Sequence, residues 1–310
     1  MRIVSLLPSA TEMLFAIGVG DRVVGVTHEC DFPPAATQRP SVTRDLLPPG
    51  LSAAEIDAAV SAGIRDEHTI YALDVDTLRA LQPDVVVAQQ LCDVCAVPVA
   101  AVDAALCALA PHARVVAADP HTLDDLFAAI TALGGEVDAA EPATRLVDAL
   151  RGRLAAVDAA VAGRPRPSVA MLEWPDPPWL PGHWAPDMIE RAGGASLFGV
   201  SGQPSQRATV GELGAVDADV VVAAFCGFHL AQTVEHVEGI VDRPAWRSLT
   251  EGARVVAVDG SAYVSRPGPR LIDGVELLAH VLHGVGEPPA ADAVAELRDG
   301  AWHRPATPAS

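Results

Sequence analysis

The chain has 310 residues, half of them hydrophobic but only 4% aromatic. That is more than one hydrophobic core usually organises, and it favours two lobes of roughly 150 residues built on Ala, Val and Leu. A formal charge of -19, with every one of the 21 basic residues an Arg, and a pI near 4.7 exclude a nucleic-acid partner, because a phosphate backbone would be repelled rather than relieved of counterions.

No stretch approaches the roughly 18 uninterrupted apolar residues of a membrane span. The opening Met1-Arg2-Ile3-Val4-Ser5-Leu6-Leu7-Pro8 has neither the apolar core nor the small-residue cleavage site of a secretory leader, so a cytoplasmic location is expected. Residues 2–7 read as a strand that stops at Pro8. Ser9-Ala10-Thr11-Glu12 has capping-box spacing, with the Ser9 hydroxyl taking an early helix N–H and Glu12 reaching back. A helix through about residue 17 is expected, stopped by Gly18 and Gly20. A second strand over 22–27 leads into His28-Glu29-Cys30, and Ser52-Ala53-Ala54-Glu55 opens another capped helix, to about residue 62. There follow a helix over 77–81, a Pro83-Asp84 turn, an apolar strand over 85–88, a strand over 113–117 and a helix over 123–133. Strands alternating with helices argue for parallel βαβ units rather than hairpins.

The longest helical pattern covers 142–162, with Leu146, Leu150, Leu154 and Val157 on one face. Past Gly163 and Pro165-Arg166-Pro167 the alternation restarts. It gives a strand over 168–172, a Trp/Pro-rich loop, helices over 185–192 and 210–213, a strand over 219–223, a helix, a strand over 254–258 and a helix over 270–283. The expected fold class is α/β, two Rossmann-like lobes with parallel sheets joined by a single long helix. Residues 1–140 form the N-terminal lobe, 141–164 the linking helix and 165–287 the C-terminal lobe. Residues 288–310 are expected to form a tail with one more short helix and a loosely held end.

Three apolar strands run into thiol-bearing loops. Val23-Val24-Gly25-Val26 leads to Cys30, Val85-Val86-Val87 to Cys92-Asp93-Val94-Cys95, and Val220-Val221-Val222 to Cys226-Gly227-Phe228-His229. Ligands of open α/β sheets bind beyond the carboxyl ends of the strands, so these loops suggest one shared site. Cys92 and Cys95 have metal-clip spacing, although a single CxxC pair is also found as a redox or merely packed pair. Together with Cys30 and Cys226 their thiolates suit Zn or Fe; Cys107 reads as a buried core thiol. His28, His183 and His229 lie in loops where a neutral imidazole suits the axial face of a cobalt or iron macrocycle. Residues 173–184 concentrate Trp174, Trp179 and Trp184 among prolines. Those flat apolar faces would bury a macrocycle, or simply pack the second lobe. No nucleophile elbow, phosphate loop or paired-carboxylate signature is present.

Five sequence segments carry a resemblance to a known family. They are Arg2-Ile3-Val4-Ser5-Leu6-Leu7-Pro8-Ser9-Ala10-Thr11-Glu12, Val23-Val24-Gly25-Val26 followed by Cys30-Asp31-Phe32-Pro33, Leu81-Gln82-Pro83-Asp84-Val85-Val86-Val87, Arg191-Ala192-Gly193-Gly194-Ala195, and Arg266-Pro267-Gly268-Pro269-Arg270. Over about residues 2–285 the chain resembles the helical-backbone substrate-binding proteins for cobalamin, siderophores and heme, most closely the cobalamin-binding branch. The resemblance implies a soluble, monomeric, non-enzymatic binder of a small molecule, a corrinoid or related metal tetrapyrrole, held in a cleft between lobes. Trp174, Trp179, His183, Trp184, Phe228, His229, Tyr263 and Arg266 would surround the ligand. In this comparison Arg266 matches a family arginine that reaches the ligand's polar periphery, and Tyr263 falls where the family has an aromatic. Cys30, Cys92, Cys95 and Cys226 depart from the family and remain candidates for Zn or Fe.

Transporter-linked relatives present a surface Glu in each lobe to a permease, one of them directly after the second-lobe Gly-Gly. Here Ala195 takes that place and residues 89–98 contain no Glu, so the resemblance does not extend to permease docking. Three other readings stay open: the substrate-binding component of an ABC importer, a Zn-thiolate protein, and a chelatase-like enzyme in which Glu173 and His183 act together.

Overall fold

A computed structural model describes residues 1–65, 70–88 and 112–305. The chain divides into two compact units, Met1–Pro120 with Asp124–Ala149, and His121–Leu123 with Leu150–Ser310. Both are α/β, as expected.

In the first unit the strands are β1 Ile3–Ser5, β2 Val23–Gly25, β3 Thr43–Asp45, β4 Tyr71–Leu73, β5 Val85–Ala88 and β6 Arg114–Ala117. Four of them form a parallel sheet in the order β2-β1-β5-β6, with Ile3, Val4 and Ser5 opposite Val85, Val86 and Val87. β3 and β4 pair as a separate antiparallel ribbon. Every residue of β1 and β5 is buried, which is why these strands read as unbroken apolar runs: a parallel strand is covered on both faces. On one face Val4, Leu6, Val86 and Ala88 pack with Val42 and Leu78.

The first expected capping box does not form. The helix Pro8–Ala16 starts one residue earlier, with Leu7 at its N-cap and no side-chain cap. Proline at the first helical position has its φ already set, and the N–H it lacks is one that would have had no partner within the helix. Ser9 and Glu12 are instead buried, and the Thr11 hydroxyl donates to the Leu7 carbonyl at 3.0 Å. The second box does form. Ser52 N–H donates to Glu55 Oε2 at 2.8 Å, Glu55 N–H approaches Ser52 Oγ at 3.3 Å, and the helix Ala53–Arg65 runs past the expected end.

In the second unit the strands are β7 Ser168–Leu172, β8 Trp174–Pro175, β9 Pro178–Leu180, β10 Ala195–Ser196, β11 Gln206–Arg207, β12 Val220–Ala223, β13 Arg254–Val258, β14 Val294–Arg298 and β15 Ala301–His303. The main sheet has the order β10-β7-β12-β13-β14-β15, parallel from β10 to β13 and antiparallel beyond. The Trp/Pro-rich segment is not a bare loop: β8 and β9 form a hairpin extended by β11. Phe225, Trp246, Leu249, Val237 and Ile240 build the core against Leu172 and Val221, with the Phe225 and Trp246 rings edge-on at 6.2 Å.

The helix Ala140–Val161 has 22 residues, about 33 Å at 1.5 Å per residue, and the division between the units falls inside it. Its buried stripe is Ala143, Val147, Leu150, Leu154 and Val157. Leu146, expected on that face, is half-buried.

The largest correction concerns the C-terminal tail. Where one more short helix was expected, β14 and β15 form a hairpin through Asp299-Gly300, both with positive φ, 52° and 74°; of the Pro/Ala end expected to be loosely held, residues 306–310 lie outside the described residues. The hairpin has the geometry of the two-residue turn that Asp-Gly favours. β14 covers the edge of β13, and Glu296, 3% exposed, takes the Arg254 guanidinium at 2.8 Å. Replacing one partner of so buried a pair leaves the other uncompensated. Glu296→Ala is therefore expected to cost about 3 kcal/mol in urea unfolding; a loss below about 0.5 kcal/mol, the usual surface effect, would mean the tail is loosely held after all.

Candidate functional site

In the second unit β7, β12 and β13 lie side by side with Leu172 opposite Ala223 and Ala223 opposite Ala257. Their carboxyl ends deliver Glu173 and Trp174, the run Cys226 to His229, and Asp259 to one edge of the sheet. The three loops are laced together by main chain. Cys226 N–H donates to the Glu173 carbonyl at 2.9 Å and Ser261 N–H to the Phe228 carbonyl at 3.1 Å. At Gly260 an added Cβ would lie 2.2 Å from the Phe225 carbonyl oxygen, so glycine alone permits this approach.

On this edge the Trp174 and Phe228 rings are 5.1 Å apart, and the Trp174 indole N–H donates to the Asp176 carbonyl at 3.1 Å. His229 follows directly. Its Nδ1 is 2.9 Å from Asp259 Oδ2, with the imidazole 53% exposed and the carboxylate 12%.

Beneath the aromatic segment Glu173 Oε2 accepts the Ser205 hydroxyl at 2.5 Å and Oε1 the Gly182 N–H at 3.3 Å. Burial pushes this carboxyl up to about 7, the two hydrogen bonds pulling the other way without cancelling it. The expected Glu173/His183 pair is not formed, since both Glu173 oxygens go to Ser205 and Gly182. His183 has a positive φ of 49° and a buried Nδ1 without a hydrogen-bond partner. Its ring packs between Trp184, at 5.6 Å, and His121, at 5.5 Å. Burial, then the charge of His121, holds it below the usual histidine range.

The remaining expected ligand residues are dispersed. Trp184 is buried and donates to the Val264 carbonyl at 2.7 Å, which makes it a packing residue. Half-buried Trp179 lies under the Arg207 guanidinium at 5.4 Å. Tyr263 lines a cavity of about 510 Å³ with Arg153, Glu276 and Pro288, and burial, followed by Asp273, raises its hydroxyl above the ordinary value. Arg266 is half-buried in the turn closed by Gly268 N–H on its carbonyl at 2.7 Å.

The expected cysteine metal site has no counterpart among the described residues, where no three His, Cys, Asp or Glu side chains are placed to hold an ion. Cys30, in the first unit, is buried with its Sγ 3.2 Å from Thr11 Oγ1 and 3.1 Å from Thr27 Oγ1. Nearby, His28 Nδ1 is 2.8 Å from Thr43 Oγ1. Cys226, half-buried, belongs to the second unit. Cys92, Cys95, Cys107 and residues 89–98 lie outside the described residues.

Residues 3–253 match the family described as periplasmic binding protein. The chain belongs to that family. It is 24% identical over 284 residues to the vitamin B12-binding protein of Vibrio cholerae serotype O1, covering 89% of this chain and 86% of that protein. Its fold is similar to that of a periplasmic heme-binding protein from Pseudomonas aeruginosa, with a TM-score of 0.71 at 20% identity over 95% of this chain and 97% of that one. It is also similar to that of the periplasmic vitamin B12-binding protein of Vibrio cholerae, with a TM-score of 0.64 at 21% identity over 90% and 94%. The periplasmic binding proteins are binding proteins rather than enzymes.

Within this periplasmic binding protein, sequence reasoning missed Asp259 and Ser205. Asp259 carried one usable signal: an Asp ending an apolar strand and preceding Gly-Ser-Ala is an N-cap. Glu173 yields a pH test. Its folded-state pKa lies above the ordinary 4.5, so as pH rises from 4.5 the unfolded chain ionises first. Stability should fall through the window from about 4.5 to 7 and then level off. The loss attributable to this group is at most about 3 kcal/mol, and it should vanish in Glu173→Gln. Parallel urea-midpoint profiles for the two proteins would overturn the assignment.

Proposed function

We propose that this chain is a non-enzymatic binding protein whose ligand is a corrinoid or a related metal tetrapyrrole, taken up on the strand-end edge of the second unit. The observation that carries the reading is the pairing of Trp174 with Phe228, 5.1 Å apart, beside the exposed imidazole of His229 on the same edge. Apolar ring faces with one placed polar group are what a flat, metal-bearing macrocycle requires. The names of similar proteins, vitamin B12-binding and heme-binding, support the same class. Delivery to an ABC importer is compatible with this reading. Ala195, in β10 where transporter-linked relatives have a docking carboxylate, offers none.

Calorimetric and absorbance titrations with aquocobalamin, cyanocobalamin and ferric heme test the proposal. At least one is expected to bind at low micromolar concentration or tighter, and Trp174→Ala or Phe228→Ala should weaken it about tenfold, the effect of losing a buried aromatic anchor. Absence of binding to all three at high micromolar ligand would overturn it.

A further inference from the structure

The cavity beside Tyr263 is not part of the strand-end edge. It measures about 510 Å³ and lies within the second unit, lined from the helices Ala140–Val161 and Arg270–His283, and Trp174, Phe228 and His229 are not among its lining residues. Small-molecule sites have volumes of this order.

Its walls are preformed. The two helices are clamped together by Arg153, whose Nε donates to Glu276 Oε1 at 2.9 Å and whose Nη2 donates to Glu276 Oε2 and Asp273 Oδ1, each at 2.5 Å. Asp273 and Glu276, three residues apart, share one helix face. At Gly274, between them, an added Cβ would stand 2.2 Å from the Tyr263 carbonyl oxygen, so glycine lets the Tyr263 main chain press against this helix. Pro288-Pro289, also in the lining, has its φ angles fixed by the rings.

The lining combines two characters. Val157 and Leu277 are buried and apolar, whereas Asp273, Glu276 and Glu287 set three carboxylates against the one guanidinium of Arg153. Glu276 engages that guanidinium with both oxygens, so the excess charge in the cavity is negative. The Tyr263 hydroxyl registers the same field: after burial, Asp273 is the largest cause of its raised pKa. An anion would be repelled here, and a neutral apolar molecule would desolvate carboxylates without pairing them. A cation with an apolar body meets both demands.

We infer that this cavity binds a small amphipathic organic cation, an ammonium or guanidinium carried on an apolar or aromatic body. The charged head lies against Asp273 and Glu276 and the body along Val157, Leu277 and Pro288. This second ligand site does not depend on the tetrapyrrole reading of the strand-end edge.

The full chain is titrated, by calorimetry and by saturation-transfer NMR, with phenethylamine, phenethyl alcohol and phenylpropionate, probes that share a ring and differ in the head group. The amine should bind in the millimolar range or tighter, and about tenfold more tightly than either of the other two. Ala156→Trp places an indole in the cavity from an exposed helix position at little cost in helix propensity, and should weaken amine binding about tenfold. Glu287→Gln, which leaves the Arg153 clamp intact, should weaken it roughly threefold, the effect of a partly exposed ion pair. Amine and alcohol binding equally, a preference for the acid, or no amine binding at millimolar concentration overturns the inference. So does amine binding undiminished in Ala156→Trp, which would place the probe elsewhere on a chain of formal charge -19. The wild-type comparison of the three probes decides the question even if a variant does not fold.

Discussion

The close approach of three strand ends at Gly260 is the constraint on which the candidate site depends. β7, β12 and β13 are parallel and nearly wholly buried, so their side chains are consumed by the core and whatever chemistry they bear must come after the last ladder pair. The backbone of residue 260 lies against the Phe225 carbonyl, where a Cβ would stand 2.2 Å away. That contact lets the β13 turn reach the β12 loop, the Ser261 N–H find the Phe228 carbonyl, and Asp259 face His229. The imidazole is thus positioned by main-chain packing at Phe228, the residue before it, and at Phe225.

Polar burial in this region is uneven. Asp259 is fully hydrogen-bonded, and a buried group with its partners in place rigidifies what it touches. Glu173 has two donors yet still sits high in pKa, because desolvation of a carboxylate outweighs one hydroxyl and one long N–H contact. His183 carries an unmet nitrogen and a left-handed backbone. Glu173 and His183 flank the same aromatic hairpin, which connects through Glu173 to Ser205 and through the His183 N–H to the Gln203 carbonyl at 2.6 Å. The hairpin is therefore fastened at its base by one carboxyl whose protonation alters the fastening and by one main-chain bond, whereas the His229 side of the edge is fastened by Asp259.

Much of the fold was legible because burial on both faces leaves unmistakable apolar runs. Val85 to Ala88, Val220 to Ala223 and Arg254 to Val258 were visible at once, and the helix Arg270–His283 appears with the bounds that its periodicity indicates. What was not legible turned on local chemistry outranking pattern. Pro8 displaced Ser9 from the cap. Val147 took the buried stripe from Leu146 because a helix has 3.6 residues per turn and drifts over six turns. The tail was misjudged on its Pro and Ala content although Asp299-Gly300 between alternating residues marked a hairpin. At the site, Trp174, Phe228 and His229 share an edge, but Tyr263 faces a separate cavity and Trp184 is packed away, since sequence proximity to a site says nothing of which side of a strand end a residue leaves. Cys30 meets Thr11 and Thr27 from two different elements, a pairing with no sequence spacing to announce it.

The carboxyls at the strand ends are already committed to partners within the protein. A general base needs a lone pair within reach of a substrate proton, and it needs a second group to stabilise the charge that develops. Glu173, the one carboxyl here with a pKa near neutrality, spends both oxygens on Ser205 and Gly182 below the aromatic layer. Asp259 spends both of its own on Ala262 and His229. What this edge presents is the Trp174 and Phe228 rings beside the partly exposed His229 imidazole. Under the proposed function, ring faces of this kind grip a flat apolar ligand. Under that proposal, selectivity among flat ligands follows the apolar area they present to these two rings.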